Sequence, residues 1–137
     1  MIKWLAGLLE GEGCFTARGK YPSVILKMKD HDVVKRAATL MKARTYKDNR
    51  GMLIATTSTA KNVYTLCAAV LPYMFSRRTQ RIKEIMELAS KIIVDEANRK
   101  QKQILIRSLW ETGKFENKYQ LSKAVNVHAN FVYNWTT

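Results

Sequence analysis

Cysteine, histidine and proline are scarce in this 137-residue chain, which contains two of each. Cys14 and Cys67 form no Cys-x-x-Cys pair, and His31 and His128 are equally isolated, so the spacing disfavours a zinc site. Two lone cysteines are typical of buried thiols in a reducing compartment, and we expect both side chains to lie in the core.

Acidic residues are also few, since 24 Lys and Arg face only 11 Asp and Glu, for a formal net charge of +13. A surplus of this size in a small chain indicates a polyanionic partner, most often nucleic acid. The excess is spread along the chain, with 17 basic and nine acidic residues in 1–96 and seven and two in 97–137. A basic membrane-surface protein is the alternative, but no long basic amphipathic helix with an exposed aromatic face is evident.

Long hydrophobic runs are missing as well. The apolar start of the chain is interrupted by Glu10 and Glu12 too early for a secretory signal, and the apolar region 63–75 is short and contains Pro72. We therefore expect a soluble, cytoplasmic protein with no membrane partner. The apolar content of 47% is enough for the core of one domain, or of a domain near 100 residues with an appendage.

The segment 4–15 has an unusual distribution of small residues for a helix. Gly7 and Gly11 are four residues apart, so on a helix they form a flat stripe with Ala6 beside it. Each interior glycine costs about 0.5–1 kcal/mol relative to alanine, a cost that is typical of places where another backbone comes close.

The acids of the same segment lie at the predicted C-terminal end of the helix, which is its negative pole. Glu10 and Glu12 are disfavoured there by about 0.3–1 kcal/mol each. Two acids at this pole suit a bound divalent cation. The alternative is a helix that simply ends in a solvated Gly-Glu-Gly turn.

The nine residues Leu5–Gly13, LAGLLEGEG, resemble the signature of the LAGLIDADG homing endonucleases. In that family two such helices pack through their small residues, and the last acid of each points into the DNA-cleavage centre. The resemblance implies that Glu12 is catalytic and binds the metal together with Gly11. It also implies a contact between protomers, made by Gly7, Gly11, Ala6 and Leu8. Residues 88–95 imitate a second motif but lack the glycine pair, so we expect a homodimer.

The periodicity of residues 2–95 predicts an α+β domain with the order helix–strand–strand–helix–strand–strand–helix–helix. The first hairpin is predicted at 14–29 with its turn at 20–22, and the second at 43–57 around Asn49-Arg50-Gly51. Asp30 or Asp32 caps the helix between them, Thr59 opens the next helix, and Ser76 begins a long one. This order matches the αββαββα core of the family, whose four-stranded antiparallel sheet forms a saddle on DNA.

Basic residues on these elements are candidates for DNA contacts, although a solvated strand face is the alternative. The candidates in the strands and turns are Arg18, Lys20, Lys27, Lys29, Arg44 and Lys47. By position Arg77 is the candidate for the basic residue that in this family assists at the scissile phosphates, with Arg78 and Arg81 behind it. A plain cluster of arginines at a helix start is the alternative for these three.

Residues 96–137 are predicted to form a separate module after residues 1–95. Asp95–Lys102 is polar and predicted to be a linker, and 119–135 resembles a helix-turn-helix in which Ala124 packs between helices. Asn126 would adopt the left-handed conformation usually held by glycine. Its outer face would reach bases or phosphates through His128, Asn130, Tyr133 and Asn134. The alternative is a small three-helix bundle without a ligand.

Taken together, these features predict a homing-type endonuclease that cleaves double-stranded DNA at a pseudo-palindromic site. Carboxylate-held divalent cations activate water and neutralise charge in phosphodiester hydrolysis, and Mg²⁺ is the cation expected at an all-oxygen site. Two alternatives remain open, a non-cleaving DNA-binding regulator and an intron-encoded RNA-splicing cofactor on the same fold. The sequence does not name the target site.

Overall fold

The computed structural model describes residues 1–136, and its contacts divide the chain into two compact units. The core unit is Met1–Ile93 and the C-terminal unit begins at Val94. The predicted module 96–137 ends at Thr137, which lies outside the described residues. None of the helices among residues 1–136 is long and apolar enough to span a membrane.

The core unit alternates single helices with pairs of strands, in the order predicted from the sequence. Its elements are α1 Ile2–Glu12, β1 Gly13–Arg18, β2 Tyr21–Met28, α2 His31–Met41, β3 Arg44–Lys47, β4 Leu53–Thr57, α3 Ala60–Val70, a 3-10 turn Leu71–Tyr73, and the first part of α4, which spans Ser76–Glu111. The strands form one antiparallel sheet in the order β1-β2-β4-β3. The α+β prediction with a four-stranded antiparallel sheet is confirmed.

Local signals in the sequence account for most of the boundaries. Asp30 caps α2 by accepting a hydrogen bond from the Val33 amide at 3.4 Å, one of the two caps predicted. The first hairpin differs from the prediction, because its turn is Gly19–Lys20 and Tyr21 and Pro22 already belong to β2. Gly19 has a φ of 61°, which glycine adopts easily. Pro22 is tolerated because β4 pairs with β2 only from Val24, which leaves Pro22 a strand neighbour on one side.

The register of the sheet separates its two faces. Val24 and Leu26 of β2 are fully buried against the helices, and the residues paired directly with them, such as Phe15 and Ala55, point the same way. The alternate residues lie on the outer face, away from the helices. The helices bury the inner face with a core that includes Leu5, Leu9, Val34, Met41, Val63, Ile82 and Ile85.

One helix continues through the segment that was predicted to be a linker. Asp95–Lys102 belongs to α4, which runs without interruption from Ser76 to Glu111. The segment is polar because its side chains are exposed, and polar composition alone does not distinguish a solvated helix from a loop. Of the two cysteines, Cys67 is buried as expected, whereas Cys14 is exposed and the prediction for it is wrong. Cys14 pairs with Ile25 in the sheet and so lies on the outer face.

The C-terminal unit packs the last part of α4 with two short helices, α5 Lys118–Ala124 and α6 Ala129–Trp135. Ile106, Leu121 and Val132 are fully buried at its centre. Asn126, in the turn between α5 and α6, has a φ of 56°, so the predicted left-handed conformation is confirmed. Ala124, in contrast, is exposed and does not fill the predicted position between the helices.

Candidate active site and nucleic-acid interface

Glu12 is the last residue of α1, and its side chain is exposed. The chain passes directly from this helix into β1 through Gly13, whose backbone is extended. A Cβ atom on Gly13 would lie 2.7 Å from the Leu9 carbonyl oxygen, so only glycine lets the first residue of β1 approach the helix this closely. The junction between α1 and β1 is therefore tightly packed at Gly13. This packing fixes the position of Glu12 at the surface.

The glycines of α1 present a bare surface. Gly7 and Gly11 are exposed, a Cβ atom added to either would meet nothing within 4 Å, and Leu8 beside them is half-buried. Ala6 is different from the other residues predicted for a protomer contact, because it is fully buried in the core of its own chain. The prediction for Ala6 is corrected accordingly, since this side chain has no surface to offer a partner.

The oxygen atoms near the end of α1 are of the kind that a hard cation prefers. Glu12 offers a carboxylate, and the last turn of a helix, which includes Gly11, leaves carbonyl oxygens without intrahelical partners. Within residues 1–136 the structure has no cluster of three or more His, Cys, Asp or Glu side chains able to hold a metal. The donor set fits Mg²⁺ in chemistry, but one chain supplies only part of a coordination shell.

Arg77, in the first turn of α4, reaches the same end of α1. Its Nη2 atom donates a hydrogen bond to the Glu10 carbonyl oxygen at 3.0 Å and lies 3.8 Å from Glu10 Oε1. The structure thus brings the predicted basic residue to the predicted cleavage centre, and the side chain that it contacts is Glu10. Sequence reasoning missed this pair because the two residues are 67 positions apart.

The neighbouring arginines of α4 have other surroundings. Arg81 Nε donates to the Phe15 carbonyl oxygen at 3.0 Å, and its Nη1 donates to Glu84 Oε2 at 3.0 Å. Arg78 is half-buried, and its Nε atom is buried without a hydrogen-bond partner. Because Arg77 and Arg81 are one turn apart, the start of α4 holds the backbone of residues 10 and 15, on either side of Glu12. Arg81 therefore has a structural role in addition to the predicted one at DNA.

The outer face of the sheet carries three of the predicted basic residues. Arg18, Lys27 and Arg44 share this face by register, whereas Lys47 pairs with the buried Leu53 and so lies on the opposite face at the sheet edge. Lys20 lies in the first turn and Lys29 follows the end of β2, both exposed. The strand alternation of Arg44 and Lys47, three residues apart, could have shown that they face opposite ways.

Lys27 is not an isolated cation, because its Nζ lies 2.9 Å from Asp48 Oδ2. Asp48 also shapes the second hairpin, since its Oδ1 accepts hydrogen bonds from the amides of Arg50 and Met52, each at 2.9 Å. The hydrogen bond from Lys27 and these two backbone hydrogen bonds hold the pKa of Asp48 below its ordinary value. The sequence signal for Asp48 was its place before Asn49-Arg50-Gly51, where Asp commonly bonds to the turn backbone.

Exposed aromatic side chains join the basic ones on the outer face. Tyr46 pairs with Ile54 and Tyr21 pairs with Arg18, and both tyrosines are more than half exposed. They were not among the predicted site residues. The sequence signal for Tyr46 was its position two residues after Arg44 in β3, which places both side chains on the same face. The face therefore offers hydrogen-bonding and apolar groups together with positive charge.

In the C-terminal unit, the four predicted contact residues are all exposed on α6 or at its start. His128 has a structural task, because its Nδ1 accepts a hydrogen bond from the Asn130 amide at 3.2 Å and caps α6. The Tyr133 ring has Lys118 Nζ 5.2 Å from its centre, and Phe131 stacks on Trp135 with ring centres 5.3 Å apart. Asn130 and Asn134 complete the exposed polar set.

The architecture of helices on one face of a β1-β2-β4-β3 sheet has clear counterparts among solved structures. The homing endonuclease I-CvuI, solved with the I-CreI target DNA, is 16% identical, with a TM-score of 0.59 over 98% of this chain and 90% of its own. The LAGLIDADG meganuclease I-AabMI bound to uncleaved DNA is 15% identical, with a TM-score of 0.61 over 99% of this chain and 56% of its own. The chain has the fold of the LAGLIDADG homing endonucleases.

The LAGLIDADG fold recurs in the archaeal intron-encoded enzyme I-Vdi141I complexed with DNA, at 13% identity and a TM-score of 0.58 over 98% of this chain and 95% of its own. No family model matches the sequence, and no curated protein matches it either. At identities of this size the similarity establishes the fold. The chemistry depends on the residues that this chain places on the fold.

Proposed function

We propose that the chain is a homing-type DNA endonuclease that cleaves both strands of a pseudo-palindromic site as a homodimer, using Mg²⁺ or another divalent cation. The observation that carries the proposal is the end of α1. There an exposed Glu12 adjoins the bare glycine stripe of the helix, and Arg77 reaches the preceding turn from α4. The LAGLIDADG fold of solved homing endonucleases surrounds this arrangement.

A homodimer would complete the site that one chain leaves incomplete. Two α1 helices packed through Gly7, Gly11 and Leu8 would bring a Glu12 from each protomer to a common axis. The absence of any Cβ contact at Gly7 and Gly11 supports this, because these glycines cost helix stability and nothing within residues 1–136 uses the space. Two carboxylates and the helix-end carbonyl of Gly11 form an oxygen set of the kind that a hard cation prefers.

The residues of the chain would divide the work of phosphodiester cleavage. A bound Mg²⁺ supplies an activated water and neutralises charge at the phosphate. Glu12 would hold the cation, and Arg77 would donate from its guanidinium to a non-bridging phosphate oxygen as negative charge grows there. Arg81, through the Phe15 carbonyl, would keep the start of β1 in place beside Glu12.

DNA would lie along the outer face of the sheet, where Arg18 and Arg44 are directed and Tyr46 and Tyr21 are exposed. Lys27 would contribute less to phosphate binding than its exposure suggests, because Asp48 already pairs with it. The exposed polar residues of α6 would make a second contact to DNA as a helix-turn-helix. The net charge of +13 supports a polyanionic partner for both units.

A second candidate is a DNA-binding regulator that does not cleave. It would use only the basic and aromatic residues on the outer face of the sheet and the exposed polar residues of α6, since binding needs no cation. An RNA-splicing cofactor on this fold is a third reading. Both alternatives predict nucleic-acid binding without strand scission, which makes the proposals separable by one assay.

The deciding experiment incubates the protein with a randomised library of duplex DNA sites in Mg²⁺ and sequences any new ends. Cleavage at a pseudo-palindromic site that requires Mg²⁺, and is lost on chelation, is the expected result. Parallel selections for bound but uncut DNA and for bound RNA identify the regulator and the splicing cofactor. A library that is bound but never cut would overturn the nuclease proposal.

A further inference from the structure

We propose that Glu10 is a positioning residue, which holds the Arg77 guanidinium at the end of α1 in readiness for the scissile phosphate. The inference deepens the proposed nuclease function and rests on it for the role of Arg77. Glu10 belongs to the same motif as Glu12, yet Glu10 is half-buried and contacts Arg77, whereas Glu12 is exposed.

The geometry of the pair argues for an anchor. Glu10 makes two contacts with one arginine: its main-chain carbonyl oxygen accepts a hydrogen bond from Nη2 at 3.0 Å, and its Oε1 forms an ion pair with the same nitrogen at 3.8 Å. The Glu10 side chain is only 16% exposed, whereas that of Arg77 is 71% exposed. The half-buried carboxylate is therefore fixed in place, and it determines the position of the long, exposed arginine.

The hydrogen-bonding groups that Arg77 and Glu10 leave unused fit this role. A guanidinium has five N–H donors in a fixed fork, and these contacts to Glu10 engage only Nη2. Donors therefore remain available for a phosphate on the exposed side. On the other side, Glu10 Oε2 is buried without a hydrogen-bond partner. An unpaired buried carboxylate oxygen is costly, so a charge at this position is better explained by its hold on Arg77 than by helix stability.

Side chains two positions apart on a helix point in different directions. Glu10 and Glu12 accordingly face different surroundings, with Glu10 half-buried toward α4 and Glu12 exposed. One motif can therefore supply both the metal ligand and the group that orients the phosphate-binding arginine. An arginine fixed before DNA binds loses less freedom on forming the complex, which favours the reactive arrangement.

The test is a double-mutant cycle on the full-length protein, measured as single-turnover cleavage of its selected site. Glu10→Gln keeps the shape and the carbonyl contact but removes the charge. We expect it to lower the rate about ten- to a hundredfold, as a displaced catalytic group does, while DNA affinity in a gel-shift assay stays unchanged. In an Arg77→Ala background the same substitution should cause no further loss. Glu87→Gln is the matched control, because Glu87 makes an ion pair with Lys91 at the same 3.8 Å but is exposed.

A second measurement needs no cleavage. Nitrogen-15 NMR reports how fast a guanidinium rotates about its Nε–Cζ bond, and the Arg77 signal is assigned from its loss in Arg77→Lys. We expect slow rotation in the wild type and faster rotation in Glu10→Gln, with no change in Glu87→Gln. Fast rotation in the wild type, or equal rate losses from Glu10→Gln with and without Arg77, would overturn the proposal. If no DNA is cut, the nuclease proposal fails, and the rotation rates still decide whether Glu10 holds Arg77.

Discussion

Glu12 and Gly13 are adjacent, but different properties matter at the two positions: the charge of Glu12 and the small size of Gly13. Glu12 is exposed at the negative pole of α1, where a carboxylate is disfavoured, and we propose that a bound cation accounts for its charge. Gly13 is buried and is explained by space, because it has no room for a Cβ atom beside Leu9. A substitution of Glu12 should therefore lower the cleavage rate, whereas a substitution of Gly13 should lower the stability of the fold.

Glu12→Gln removes the charge of the proposed metal ligand and keeps the side-chain shape. We expect Mg²⁺-dependent cleavage to fall by at least about a hundredfold, because metal and electrostatic terms supply most of the rate. DNA affinity should be retained or increased, since a negative charge near phosphates is lost. Paired gel-shift and nicking assays check this. Cleavage at the wild-type rate would show that the active-site assignment is wrong.

Gly13→Ala should instead destabilise the fold. The added Cβ would lie 2.7 Å from the Leu9 carbonyl oxygen and 2.9 Å from Leu9 Cα, both backbone atoms that cannot move away cheaply. We expect the free energy of unfolding to fall by about 1–3 kcal/mol, as for other overpacked sites, measured by urea denaturation. Gly11→Ala is the control, compared at protein concentrations at which both variants are monomeric, because a Cβ there meets nothing within 4 Å and should not lower protomer stability.

At the scale of elements, α1 has to serve two surfaces. One face is buried in the core through Leu5, Ala6 and Leu9, and the other carries the bare stripe of Gly7 and Gly11. Since the stripe costs helix stability and has no contact with the rest of the chain as far as Thr136, we propose that it packs against a second copy of α1.

Gly7→Leu tests this use of α1. The protomer has space for the side chain, so the substitution should leave the fold intact, while it should separate the proposed dimer by filling the contact between helices. Analytical ultracentrifugation over a concentration series, with and without DNA, measures the assembly, and circular dichroism checks the fold. A wild-type protein that stays monomeric on DNA would contradict the dimer.

The β3–β4 hairpin provides a prediction about pH. The pKa of Asp48 is lowered from its ordinary value of 3.8, chiefly by the Lys27 hydrogen bond, so the ionised carboxylate favours the folded state. This contribution is complete above pH 3.8 and is lost as the pH falls below it through the lowered pKa. Urea denaturation is measured at pH 5 and at pH 3, about one unit above and below the ordinary pKa of 3.8. Between these pH values the free energy of unfolding should fall more for the wild type than for Asp48→Asn. Equal losses would show that the pair does not contribute.

At the scale of the whole molecule, two compact units share α4, and each has its own buried core. The core unit carries the proposed cleavage centre, and the C-terminal unit carries the exposed residues of α6. We therefore expect binding and cleavage to be partly separable.

Truncation after Ile93 should keep the cleavage centre and remove one set of DNA contacts. We expect weaker binding, a smaller footprint and a less steep dependence of affinity on salt, by about 0.9 in the log–log slope for each lost phosphate contact. Circular dichroism and cooperative urea unfolding verify that the core unit remains folded. An unchanged footprint and slope would show that the C-terminal unit does not lie on the DNA.

The sequence by itself determined the features that depend on local chemistry. Periods of two and 3.6 residues gave the order of strands and helices, Asp30 gave the cap of α2, and Asn126 gave the left-handed turn before α6. Each follows from residues within a few positions of one another, where backbone preference and side-chain alternation decide the outcome. The charge surplus predicted a polyanionic partner without any geometry, and this partner stays a prediction.

Only the tertiary structure decided which distant groups meet. Arg77 reaches Glu10 across 67 positions and Arg81 reaches Phe15 across 66, so neither contact has a signal in local spacing. The fold also buried Ala6, exposed Cys14 and turned Lys47 away from Arg44, because packing and sheet register assign each side chain to a face. The motif could name Glu12, but the contact that Arg77 of α4 makes with the end of α1 was needed to give Glu10 a partner.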